Sequence, residues 1–263
     1  MKAASFLPPL LIMLVILSSG CVNQQSPDEQ LKLDIQVEPN PVFSGTTTTL
    51  YADITNDAGV TYNGIIMRVF DPSYFSISGC SKTIPVLRPY GAESMKCSFI
   101  APQVERDVTS NIGVSVMMSG NLNANVPVKM VGIDEYELAR LTEPIERYPA
   151  TFTYSDINLK MLVEFSDEFP MVIHPREDYM YITISNNGQG RLQPISVSLS
   201  GSGSSIVESC DRSSGIEPMG DEYPRISCKL RKPQTKYLSQ YDLLISVNYA
   251  YEIRKTIPVE IIR

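Results

Sequence analysis

Short runs in which apolar and polar residues alternate fill most of this chain. Leu31, Leu33, Ile35 and Val37 are separated by Lys32, Asp34 and Gln36, the period-two pattern of a strand with one buried face. Leu50, Ala52 and Ile54 continue it, as do Ile65, Met67 and Val69, and later Ile112, Val114, Val116 and Met118. Pro39 and Pro41 interrupt the first run, as expected at an edge strand or where a chain crosses between sheets. Turn-forming clusters separate the runs: Asn56-Asp57-Ala58-Gly59, Arg88-Pro89-Tyr90-Gly91 and Asn186-Asn187-Gly188. About seven short strands in each stretch of roughly 100 residues predict an all-β fold of sandwich type.

The pattern occurs twice. Asn56 and Asn186 each follow an alternating run, Tyr51-Ala-Asp-Ile-Thr and Tyr181-Ile-Thr-Ile-Ser, and from each the next cysteine lies 24 residues on. A second cysteine follows after 17 residues in one copy and 18 in the other, and Pro-Gln comes five residues later in both. From Cys97 to Val128 an offset of 131 holds without a gap, so that Val126-Pro127-Val128 answers Ile257-Pro258-Val259. Internal repetition of this kind points to duplication of one structural unit. The strands of the second copy then include Met180, Ile182 and Ile184, Ile195, Val197 and Leu199, and Leu243, Ile245 and Val247. The division expected is a leader at 1–20, a tether at 21–30, sandwiches at 31–131 and 151–263, and a linker at 132–150. Within that linker, Asp134 caps a predicted helix over Glu135–Leu141, with Glu137 completing a capping-box-like pattern and Pro144 closing it; a coiled linker is the alternative reading.

The leader sets the compartment. An apolar stretch from Phe6 to Leu17 follows Lys2 and ends in Ser18-Ser19-Gly20-Cys21. It is too short for a membrane span of about 20 residues and has the shape of an export signal. The small residues before Cys21 resemble a lipoprotein signal, in which the cysteine carries the lipid anchor. Ser18 stands where such signals have a branched apolar residue, so ordinary cleavage and retention as an anchor stay open. Five cysteines suit this context. With Cys21 assigned to the lipid, Cys80–Cys97 and Cys210–Cys228 remain as two local disulfides.

Little chemistry is visible. His174 is the only histidine and sits beside Pro175, and there is no CxxC pair, so neither a histidine-based mechanism nor a zinc site is expected. The acidic pairs Asp134/Glu135, Asp167/Glu168 and Asp221/Glu222 fall in turns or the linker, where they read as solvated charge. Gly201-Ser-Gly-Ser-Ser205 follows a strand without leading into a helix, so it reads as a flexible hairpin tip and not a phosphate loop. A net charge of −7 argues against nucleic acid as a partner. Tyr237 and Tyr241, near the C-terminal strands, are the candidate interface residues; Tyr249 and Tyr251 share the register of the core.

Asn56-x-x-Gly59, Pro89-x-Gly91 and Ala101-Pro102 resemble the turns of exported Ig-like surface modules of the CARDB and NEW3 type, over most of residues 31–130 and 155–263. That resemblance implies spacers, adhesion units or accessory modules, with no catalytic residue and no cofactor. The expectation is therefore a non-enzymatic, membrane-anchored protein of the cell envelope whose partner is another envelope protein or a glycan. An accessory subunit of a larger surface complex, such as a transporter, pilus or S-layer, is the rival.

Overall fold

A computed structural model describes residues 31–263 except 71, 73, 77, 78, 143–145, 174 and 235. The leader, the tether, Cys21 and His174 lie outside the described residues. In chain order the first strands are β1 (Leu31–Glu38), β2 (Val42–Phe43), β3 (Thr47–Asn56), β4 (Tyr62–Phe70), β5 (Ser81–Leu87) and β6 (Ala92–Ile100). Then come β7 (Val108–Gly132), helix α1 (Ile133–Thr142), β8 (Thr151–Ser155), β9 (Leu159–Phe165) and β10 (Met171–Ile173). The chain ends with β11 (Tyr179–Asn186), β12 (Arg191–Leu192), β13 (Ser196–Ser200), β14 (Val207–Cys210), β15 (Ile226–Leu230) and β16 (Ser239–Ile262).

One long sheet is backed by two smaller ones. The order in the long sheet is β12-β16-β7-β4-β5, with β13 and β2 also on β16 and β10 on β7. The smaller sheets are β1-β3-β6 and β14-β15-β11-β9-β8. Even-numbered side chains of β7 from Ile112 to Met118, and again from Leu122 to Met130, are buried against them. On β16 the odd-numbered positions Leu243 to Tyr251, then Val259 and Ile261, do the same. The two smaller sheets therefore cover one face of the long sheet side by side. The helix begins at Ile133, one residue before the expected cap, so Asp134 and Glu135 stand in its first turn, where carboxylates offset the positive end of the helix dipole.

β7 has 25 residues and β16 has 24, far beyond the 3–10 usual for strands. They pair antiparallel without a break from Val108↔Ile261 to Met130↔Ser239. Ser119 lies opposite Ala250, and these two residues are themselves 131 apart, so an approximate twofold axis passes between them, normal to the sheet. The axis carries β4 on β7 (Ile66↔Met117) onto β13 on β16 (Ser196↔Asn248). It also carries β2 beside β16 onto β10 beside β7. Each long strand thus begins in one half of the molecule and ends in the other. Ser119-Gly120-Asn121 would suit a hairpin turn, yet the strand runs straight through it. A Cβ on Gly120 would lie 2.2 Å from the Tyr249 ring, so the glycine serves close packing across the ladder and not a turn.

The first crossing between layers sits where Pro39 and Pro41 predicted a break, and Pro170, not singled out in the sequence, marks its counterpart. After β1 the chain passes through Pro39–Pro41 into β2 of the long sheet, and after β9 it passes through Pro170 into β10. Asn56 and Asn186 are the matching pins of the two halves. Asn56 Nδ2 donates to the carbonyls of Val60 and Arg88, both at 2.8 Å, and its Oδ1 accepts from Ala58 N at 3.0 Å. Asn186 Nδ2 donates to Gly190 O at 2.9 Å, and its Oδ1 accepts from Gly188 N at 3.1 Å. Both are turns built by an asparagine side chain standing in for backbone.

Candidate interaction surfaces

Cys80 is bonded to Cys97 and Cys210 to Cys228. The two bridges do different jobs. Cys97 lies in β6 of a small sheet while Cys80 precedes β5 of the long one, so the first bridge ties two layers. Cys210 and Cys228 face each other on neighbouring strands, so the second staples an edge strand to its own sheet. Two disulfides indicate an oxidising, extracytoplasmic environment. Among the described residues no helix is long and apolar enough to cross a membrane.

Of the acidic groups singled out in the sequence, Asp167 is tied into the fold by its side chain. Asp167 Oδ1 accepts from Arg147 Nη2 at 2.7 Å, and its Oδ2 lies 3.1 Å from Arg176 Nη2. Burial works against its charge, but the Arg147 hydrogen bond and both guanidiniums outweigh it and hold the carboxyl below its ordinary value. Asp134 and Glu135 are on α1, and Glu222 pairs with Met219 and Ser185 in a turn. Among the described residues no group of three or more His, Cys, Asp or Glu is placed to hold a metal ion.

Near the twofold axis lies a polar knot. Tyr249 Oη donates to Asp156 Oδ2 at 2.7 Å and accepts from Asn158 Nδ2 at 3.2 Å. Asp156 Oδ1 caps the backbone amides of Asn158 and Leu159. Gly190 N donates to Tyr251 Oη at 2.5 Å. Burial is the main cause that raises the pKa of Tyr249 and Tyr251. Their hydroxyls are engaged with chain groups, as partnered core tyrosines are. The glycine-rich stretch is likewise structural: Ser202–Ile206 forms a 3₁₀ turn, and a Cβ on Gly203 would meet Leu243 at 2.7 Å. It is a packed turn, not a loose hairpin tip, because Gly203 lets the turn seat directly on β16.

Three surfaces remain. A groove of about 540 Å³ runs between α1 and the segment after β15, with Ile133, Leu138, Lys232, Lys236 and Tyr237 among its walls. Tyr237 is 70 % exposed there. Tyr241 is half-buried and packs on the core, so the structure does not bring the two tyrosines into one surface. The second surface is an edge: among the described residues β1 pairs with β3 alone, whereas its counterpart β9 lies between β11 and β8.

The third is the outer face of the long sheet in the second half. Asn121, Asn123 and Asn125 of β7 stand opposite Asn248, Ser246 and Leu244 of β16. Beyond them lie Ser196, Ser198 and Ser200 of β13. Asn121 Nδ2 donates to Asn248 Oδ1, and Ser246 Oγ donates to Asn123 Oδ1, both at 2.7 Å. The alternations Asn-x-Asn-x-Asn and Ser-x-Ser-x-Ser were visible in the sequence, but nothing there says that they lie side by side.

No protein-family model matches the chain, and no curated protein matches its sequence.

Proposed function

We propose that this protein is a non-catalytic interaction module of the cell envelope, held outside the membrane by its N-terminal leader. It is built from two copies of an Ig-like sandwich of the CARDB and NEW3 type that arose by duplication. The observation that carries this reading is the unbroken β7–β16 ladder. Two sandwiches joined only by a linker would swing independently. Here both halves share two strands, so their surfaces are held at one fixed spacing and orientation, which is what presenting a surface to a partner requires. The two disulfides support an exported location, and the acidic charge of −7 favours solubility there.

A second reading, an accessory subunit of a larger surface complex, rests on β1. Its eight residues offer an edge that a partner strand can extend. Chemical cross-linking on intact cells, followed by mass spectrometry, separates the two. Repeated capture of one envelope complex supports the accessory subunit, whereas capture of varied surface material supports a free-standing module. Recovery in the cytosolic fraction with reduced thiols would overturn both.

A further inference from the structure

The approximate twofold axis supplies an internal comparison, because the outward positions where β4 and β13 pair with the long strands β7 and β16 correspond across it. In the first half that face is filled in. Phe70 lies over Gly113, where a Cβ would come within 2.4 Å of its ring. Arg254 sits 5.1 Å from the Phe70 ring centre and pairs with Glu252 at 2.8 Å. Ser115 is 2 % exposed. The counterparts in the second half are open: Ser200 answers Phe70, Asn123 answers Arg254, and Asn121 answers Glu252. Across three adjacent strands, all positions but Leu244 carry an amide or a hydroxyl, and none carries a charge. The bounding charges are Asp242 and Lys129 at one end and, past Ser119 at the other, Glu252 with Arg191 opposite it and Arg254 paired to it.

Asparagine disfavours strands, so folding alone does not account for three in alternate outward positions of β7. The cross-strand bonds Asn121–Asn248 and Asn123–Ser246 tie neighbouring side chains to one another above the sheet. The result is a flat grid of hydrogen-bonding groups, spaced by about 4.8 Å between strands and about 7 Å along them. Where this grid approaches the axis the surface dips into a shallow depression of about 370 Å³, walled by Ser119, Pro194, Ser196, Asn248 and Tyr249.

We infer that this face is a binding platform for a neutral polysaccharide. A charged ligand would find no counter-ion on it, and an apolar one would leave the amides' remaining donors and acceptors unpaired, at about 1–3 kcal/mol for each buried group. A polyhydroxylated, uncharged chain supplies both donors and acceptors, matching amides and hydroxyls that each do both. The inference deepens the envelope reading by naming the partner's chemistry, and it rests on that reading.

The test uses the purified full-length protein on an array of neutral gluco-, galacto- and manno-oligosaccharides, with sulfated and uronic-acid-bearing counterparts alongside. Neutral glycans should be retained in preference to acidic ones. Asn123→Asp keeps the acceptor for Ser246 but replaces the amide donor by a charge, and should weaken binding by about tenfold or more. Thr256→Asp, on the matching face of the first half, should leave binding unchanged. A blank array, preference for acidic glycans, or unchanged binding by a folded Asn123→Asp variant would each overturn the platform. None of these would touch the envelope location, which the cell fractionation tests separately.

Discussion

Replacing Asn56 by alanine probes how the two halves depend on one another. Asn56 is fully buried, and the substitution removes two 2.8 Å bonds to the Val60 and Arg88 carbonyls and the 3.0 Å bond from Ala58 N. Each bond contributes about 1 kcal/mol net, and a carbonyl left unpaired away from water costs about 1–3 kcal/mol. Water reaches part of these turns, so the total expected is about 2–4 kcal/mol. In a chain of this size 1 kcal/mol moves the melting midpoint by about 2–4 °C, which places the drop at roughly 5–15 °C. Asn186→Ala should fall in the same range, since its bonds to Gly190 and Gly188 are of the same kind. Thermal unfolding followed by circular dichroism reads both. Because β7 and β16 belong to both halves, each variant should show one cooperative transition that moves as a whole. A curve split into two steps of which only one shifts, or a drop under about 2 °C, would refute the reasoning.

Three further outcomes are expected. Paired replacement of Cys80 and Cys97 by serine should cost about 3 kcal/mol by the loop-closure argument, and the Cys210/Cys228 pair a similar amount; urea denaturation measures both. Burial, aided by the charges of Asp156 and Tyr251, holds the Tyr62 hydroxyl up at about 12, against an ordinary value of 10.0. The unfolded chain therefore loses this proton first, so the stabilisation is intact below pH 10 and drains away between pH 10 and about 12. Tyr62→Phe should flatten the stability profile in that window, and an unchanged alkaline slope would count against the buried hydroxyl. Tyr237→Ala should leave the melting midpoint within about 2 °C, because the ring is largely in water. The same variant should reduce protein capture on cells if the α1 groove is used; equal capture would retire that groove.

Much of the fold was legible one strand at a time. Period-two alternation marks β1, β3, β4, β7 and β16, because a half-buried strand must place every second side chain in the core. The matched spacing of Asn56 and Asn186 announced two equivalent turns, whereas the matched cysteine spacing concealed that one bridge ties two sheets and the other staples neighbouring strands. Tyr249 and Tyr251 were assigned to the core by register alone, and they lie there. The glycine-rich stretch was misread as a loose tip because what demands Gly203 is Leu243, 40 residues away in sequence.

The chain by itself determined which residues face inward, where the turns fall and which cysteines could pair. Only the tertiary structure decided where each last strand goes. Alternation is a local property and continues unchanged whether β7 folds back at Ser119-Gly120-Asn121 or runs on, so it cannot report the choice. Packing makes it: Tyr249 fills the space above Gly120, and the hydrophobic stripe from Leu122 to Met130 finds its cover in the second half. The same limit hid the asparagine and serine face, since the adjacency of β7 and β16 is a consequence of pairing over more than a hundred residues.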